Sequence, residues 1–97
     1  MKQFKVDAYV METLLADLVL HDRQPSAFLV YLHLWYRSAG RPAPVRTSHQ
    51  EMVSATGLSK SAIQGAVRTL VRRRLLRAAL EGVTAVPAYT VLRPWRK

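Results

Sequence analysis

The sequence predicts a mainly α-helical domain that carries a small β-hairpin. Three observations favour this fold class: apolar residues recur at helical spacing before Leu75, residues typical of helix caps separate these segments, and the apolar period changes to two afterwards. A chain of 97 residues is long enough for one hydrophobic core. We therefore expect a single domain over 1–97.

The first two predicted helices precede Pro42 and Pro44, near the middle of the chain. Val10, Leu14 and Leu18 recur at helical spacing and predict an N-terminal helix from about Asp7 to Leu20. A second helix should begin at 24–26, because Pro25 is tolerated at the first helical position, and should end by residue 40. This second helix is apolar nearly all round, which indicates a place at the centre of the domain.

Two further helices are predicted by their caps. After the prolines, 45–47 is long enough for a short strand or an extended connector, and Ser48 and Glu51 then fit a capping box. The third helix should end near Ala55, since Gly57 suits a left-handed turn. Ser59 can cap a fourth helix. One face of that helix collects Ile63, Ala66, Val67 and Leu70.

The remainder of the chain predicts a hairpin and a loose basic tail. Leu76, Ala78 and Leu80 alternate, a turn follows at 81–82, and Tyr89 and Val91 return at period two. We expect the hairpin over 75–92 and a loose tail over 93–97.

Composition argues against several function classes. The chain has no cysteine, which excludes disulfides and thiolate metal sites. His21, His33 and His49 are too dispersed for a metal motif, and His33 is expected to be packed and hydrogen-bonded. No nucleophile arrangement or phosphate-binding glycine loop is present. We expect no catalytic residues, no metal and no cofactor, and hence no enzyme.

The charge of the chain is unevenly distributed. Fifteen Lys and Arg against six Asp and Glu give +9 overall. Residues 1–36 carry three basic and four acidic residues, a net charge of −1, whereas 37–97 carry twelve and two, a net charge of +10. A polyanion partner is expected for the second part. The longest apolar run is too short for a membrane span, and we expect a cytoplasmic, nucleoid-associated protein.

The segment around Gly57 carries a family resemblance. A helix ending at Gly57, an inward Leu58, a cap at Ser59 and an aliphatic Ile63 resemble the helix-turn-helix family over 48–74. The order of elements from Pro25 to Leu92 further resembles winged helix-turn-helix regulators of the MarR and GntR types, or phage and plasmid replication proteins. The resemblance implies a three-helix core plus the N-terminal helix over 1–22, with a wing at 75–92.

The sequence departs from the family pattern in two places, at the end of the fourth predicted helix and in the wing. Family members usually have glycine before the closing aliphatic pair, where this chain has Arg74, so either the helix exit differs or Arg74 adopts a strained conformation. The hairpin tip over 81–87 contains no Lys or Arg, which argues against a wing that grips the minor groove.

The fourth predicted helix supplies the candidate site. At about 100° per residue, its side opposite Ile63 collects small, polar and basic residues, which suit entry into the major groove of double-stranded DNA. Arg73 and Arg74 lie off this stripe and are assigned to phosphates or to the helix dipole. The candidate DNA-binding residues are Ser59, Lys60, Ser61, Gln64, Gly65, Arg68, Arg72, Arg73 and Arg46.

Alternative interpretations remain open at this stage. The alternative for the hinge is an ordinary αα-corner, and the alternative for 72–74 is a charged helix end without a partner. Transcriptional regulation competes with plasmid or phage replication, and, outside nucleic-acid binding, with a winged-helix module that binds protein. We also expect Asp7 to Leu20 to help form a homodimer, since helix-turn-helix proteins commonly pair to read two half-sites.

Overall fold

The structure, a computed structural model, describes residues 1–80, 82 and 86–96. Within them the chain forms four helices and a small antiparallel sheet. The N-terminal helix covers 8–21 and contains two π-helical segments, Val10–Leu14 and Asp17–His21. The other elements are α1 (Pro25–Ser38), β1 (Val45–Arg46), α2 (His49–Thr56), α3 (Lys60–Arg72), β2 (Leu76–Ala79) and β3 (Ala88–Val91). The predicted order of helices and hairpin strands is confirmed.

Helix α1 is the centre of the fold. It packs against the N-terminal helix, α3 and β3, and half of its residues are buried, including Tyr31, Leu34 and Trp35. The predicted start is confirmed, with Pro25 in the first turn. At its end, Ala39 and Gly40 adopt left-handed conformations, and a Cβ on Gly40 would lie 2.8 Å from the Trp35 indole. Glycine is therefore required there by both φ and space.

The N-terminal helix joins the same core through one face. Val10, Leu14 and Leu18 are at most 2% exposed. In its π-helical segments the Leu15 amide donates to the Val10 carbonyl and the Asp22 amide to the Asp17 carbonyl. Because a π-helical turn is wider, residues four apart in sequence lie on the same side of this helix. In a regular α-helix, each residue is instead displaced by about 40° around the axis from the residue four positions before it. The domain core therefore accommodates one face of this helix.

The sheet has the order β1-β3-β2, so the predicted connector at 45–47 is a strand that pairs with β3. Leu76 lies opposite Val91, as a hairpin requires, and both are buried. Of the three residues predicted to alternate along this strand, Leu76 is buried, whereas Ala78 is exposed and Leu80 is 58% exposed. β2 is an edge strand that runs past the core. The predicted turn and uncharged tip over 81–87 fall largely outside the described residues.

The C-terminal segment is held against the N-terminus, so the prediction of a loose tail is wrong for 93–96. Trp95 Nε1 donates to Asp7 Oδ2 at 2.8 Å, and Arg96 Nε donates to the same oxygen at 2.7 Å. The Trp95 ring also stacks on Tyr9, with ring centroids 4.5 Å apart. Hydrogen bonds from Arg96 and Trp95 lower the pKa of Asp7 to about 2.

Candidate nucleic-acid interface

The turn between α2 and α3 is built from local hydrogen bonds that the sequence encodes. Ser48 Oγ accepts from the Glu51 amide at 3.0 Å, and a Glu51 carboxylate oxygen accepts from the Ser48 amide at 3.1 Å, which confirms the capping box. Gly57 ends α2 with φ of 78°, a conformation that favours glycine. The hinge therefore forms where it was predicted.

The first turn of α3 follows directly from this hinge. Thr56 Oγ1 donates to the Met52 carbonyl at 2.7 Å and accepts from the Leu58 amide at 3.2 Å, which anchors the connecting turn to the end of α2. Ser59 Oγ accepts from the Ala62 amide at 3.1 Å and confirms the predicted cap. The end of α2 and the start of α3 are therefore each capped by a local side-chain hydroxyl.

Helix α3 divides into a buried and an exposed face. Ile63, Ala66 and Leu70 are fully buried, and Val67 packs against the same core. The opposite side presents small polar and basic residues to the solvent. Of the predicted set, Ser59, Lys60, Ser61, Gln64, Arg68 and Arg72 are exposed, and Gly65 is half-buried.

The exposed face has a uniform chemistry. No acidic residue occurs between Glu51 and Glu81, so every charged side chain of α3 is positive. A Cβ on Gly65 would meet only Arg68 Nη2, at 3.8 Å, which means that the Arg68 guanidinium lies close over this glycine. The surface thus combines exposed cations with a point where a ligand can approach the backbone closely.

Arg73, a member of the predicted set, forms an ion pair with a carboxylate at the end of the N-terminal helix. Its Nη1 donates to both Asp22 carboxylate oxygens, at 2.9 and 3.0 Å, and its Nη2 lies 3.7 Å from Asp17. The side chain of Asp22 is only 14% exposed. This two-oxygen pairing occupies the guanidinium and joins the ends of α3 and the N-terminal helix. Its assignment to a phosphate or to the helix dipole stays a prediction. The sequence did not indicate the pairing, because the carboxylate partner is 51 residues away.

Arg74 adopts the strained conformation that the sequence raised as one of two options. Its φ is 58°. The Arg74 amide donates to Val71 and the Leu75 amide to Leu70, which is the hydrogen-bond pattern of a Schellman motif. Glycine is the usual residue at this position, because a side chain is strained in the left-handed region.

The sheet adds two arginines outside α3. Arg46 on β1 was predicted as a candidate, and Arg77 on β2 was missed. Val45 and Leu76 point into the core, so Arg46 and Arg77 lie on the other face of the sheet, on either side of β3. Both are exposed. The alternation from the buried Leu76 was the signal in the sequence that indicates Arg77.

The structure also contains a groove that none of the predicted DNA-binding residues lines. It is a shallow groove of about 270 Å³ between α1, the end of α2 and the N-terminal segment, lined by Phe4, Leu29, Leu32, His33, Tyr36, Ala55 and Thr56. His33 Nε2 is buried there and has no hydrogen-bond partner among the described residues, so the expectation that His33 is hydrogen-bonded is wrong for this nitrogen. Burial, together with the positive charge of Arg37, lowers the pKa of His33.

The described part of the chain gives no sign of a metal centre or of a membrane span. No group of three or more His, Cys, Asp or Glu side chains in it could hold a metal ion. None of its helices has both the length and the apolar character needed to cross a bilayer.

Comparison with protein-family models, with curated proteins and with solved structures finds no match to this chain. The function is therefore argued from the surface itself.

Proposed function

We propose that this chain is a sequence-specific double-stranded DNA-binding protein that acts as a transcriptional regulator. In this proposal its α2–turn–α3 unit is the helix-turn-helix of a winged helix, and α3 enters the major groove. β2 and β3 form the wing. DNA bound at a promoter is the regulatory event.

The observation that carries the proposal is the exposed face of α3. Its length of 13 residues, about 20 Å, fits the major groove, which admits an α-helix. Gln64 suits adenine, and Arg68 or Arg72 suits guanine or phosphates. The absence of any acidic residue over 52–80 leaves nothing on this face to repel the phosphate backbone.

Phosphate contacts from the sheet follow from the same charge pattern. Arg46 and Arg77 share one sheet face, and Lys60 lies in the first turn of α3, where helix amides favour an anion. These groups position the protein on the duplex, whereas Gln64 and the arginines of α3 read bases.

The test is fluorescence anisotropy of a labelled generic duplex over a salt series. The wild-type chain should lose affinity steeply as salt rises, because neutralised phosphates release counterions. The double variant Arg68→Ala/Arg72→Ala should bind roughly 100-fold more weakly near physiological salt, with a shallower salt slope.

The matched control removes the same charge elsewhere. Arg37 and Arg41 are exposed at and beyond the end of α1, and Arg37→Ala/Arg41→Ala should change affinity by no more than about threefold near physiological salt, where charges beyond about 8 Å are screened. Equal losses in both double variants would mean that bulk charge, and not the α3 face, binds the duplex. A selection from random duplexes then identifies the preferred site.

A further inference from the structure

The outer side of the N-terminal helix is an apolar surface that the rest of the described chain leaves exposed. Because its π-helical turns align residues four apart, the helix has four columns, of which Val10, Leu14 and Leu18 form the buried one. The column of Tyr9 and Asp17 is also engaged, through the Trp95 stack and the Arg73 ion pair. Two columns remain on the outside.

These two outer columns are nearly uncharged. One contains Met11, Leu15 and Val19, and the other contains Ala8, Glu12, Ala16 and Leu20. Leu20 is 76% exposed and Met11 is 52% exposed, whereas Leu15 is partly buried. Solvated helix faces normally carry several charges, so a contiguous apolar surface of this kind is typical of a protein interface.

We propose that this face binds a second copy of the chain, with the two N-terminal helices antiparallel and centred on Ala16. The small Ala16 side chain allows the helices to approach closely at the two-fold axis. Leu20 of each copy then covers Met11 and the stem of Glu12 in the other. Such a contact is closed and self-complementary, as a two-fold dimer requires.

Charge favours this occupant and this orientation. Two copies with a charge of +9 repel over most of their surface, but residues 6–22 contain no Lys or Arg. In an antiparallel pair, Glu12 lies within about one helical turn of the partner's Arg23, which is exposed at the end of the helix. In a parallel pair, Glu12 would instead face the partner's Glu12.

The dimer is tested without DNA, so its failure is separate from failure of the proposed function. Sedimentation equilibrium at 10 to 100 µM, about the range in which small helical interfaces associate, should give a species of about 22 kDa, twice the 11.0 kDa chain. Leu20→Glu should weaken association at least 30-fold, because it places a carboxylate beside the partner's Glu12. Circular dichroism should show an unchanged fold, since Leu20 is exposed.

Leu29→Glu is the matched control, because Leu29 is 45% exposed and lines the groove on α1. It should leave the mass unchanged. An 11 kDa species for the wild-type chain at every concentration overturns the proposal, and so does a dimer that Leu29→Glu dissociates while Leu20→Glu does not.

The orientation is tested by single cysteines, since the chain has none. Oxidised Ala16→Cys should form a disulfide-linked dimer, because the two residues meet at the axis. Ala8→Cys should form no disulfide-linked dimer. Each Ala8 lies eight residues from the two-fold axis, on opposite sides of it, so the two positions are about 24 Å apart, whereas a disulfide needs Cα atoms within about 7 Å. Cross-linking of both variants would indicate a parallel pair and overturn the antiparallel arrangement.

Discussion

The N-terminal helix and α3 bury the same kind of face and expose opposite ones. Both set aliphatic columns against α1, with Leu14 and Ile63 among the fully buried residues. The outer side of the N-terminal helix is apolar and carries no Lys or Arg, whereas the outer side of α3 is polar and carries no Asp or Glu. The buried faces therefore determine the fold, and the exposed faces are the surfaces for which we propose two different partners, a second copy and a polyanion.

The largest expected effect separates the inner and outer columns of one helix. Leu14→Ala should lower the free energy of unfolding by about 2–5 kcal/mol, because it opens a cavity in the core. Leu20→Ala should change it by less than about 0.5 kcal/mol below the concentration at which copies associate. Urea unfolding measures both. Equal effects would contradict the division of this helix into faces.

The next effect separates two neighbouring arginines. Arg73→Ala should cost about 1–2 kcal/mol of stability, because it leaves the largely buried Asp22 carboxylate without its cation. Arg72→Ala, on the exposed side, should cost less than about 0.5 kcal/mol and weaken duplex binding instead. Thermal unfolding and anisotropy of the same two variants provide the comparison. If Arg73→Ala were neutral to stability, the ion pair would not join the two helices.

Gly65 tests whether the α3 face needs close approach. Gly65→Ala should raise stability by about 0.5–1 kcal/mol, because alanine favours helix and its Cβ has room. The same change should weaken duplex binding, because a methyl group is added where the backbone would meet DNA. Unchanged affinity in the anisotropy assay would show that the duplex does not contact this position.

The smallest effect concerns the end of α3. Arg74→Gly should raise stability by about 0.5 kcal/mol, because relief of left-handed strain outweighs the entropy that glycine loses on folding. Gly57→Ala should lower stability, because the positive φ of Gly57 strains any side chain even though a Cβ would have open space around it. Both are read from calorimetric melting temperatures. A destabilised Arg74→Gly would mean that the arginine side chain makes a compensating contact.

The parts of the fold that were predicted correctly depend on local chemistry. The Ser48 capping box, Gly57, the Ser59 cap and Pro25 each act within a few residues, so their signals are present in short stretches of sequence. The positions that face outward on α3 followed from helical periodicity in the same way. The predicted exposure of these positions is confirmed, whereas the molecule that they bind stays a prediction.

The parts that were missed depend on contacts distant in sequence. Trp95 bonds to Asp7 across 88 positions, and Arg73 finds Asp22 across 51, so no local pattern indicated either pairing. The alternation of Leu76, Ala78 and Leu80 did not predict which of these residues are buried, for a different reason. Period two identifies a strand, but it does not tell how far along its length the strand stays over the core.

The contrast between the two exposed faces is tested most directly by nuclear magnetic resonance of the ¹⁵N-labelled chain titrated with a duplex that contains its selected site. Shift changes should concentrate on Lys60, Ser61, Gln64, Gly65 and Arg68 in α3, and be absent at Met11, Ala16 and Leu20. Changes centred on the outer side of the N-terminal helix, with α3 unaffected, would contradict the assignment of DNA to α3.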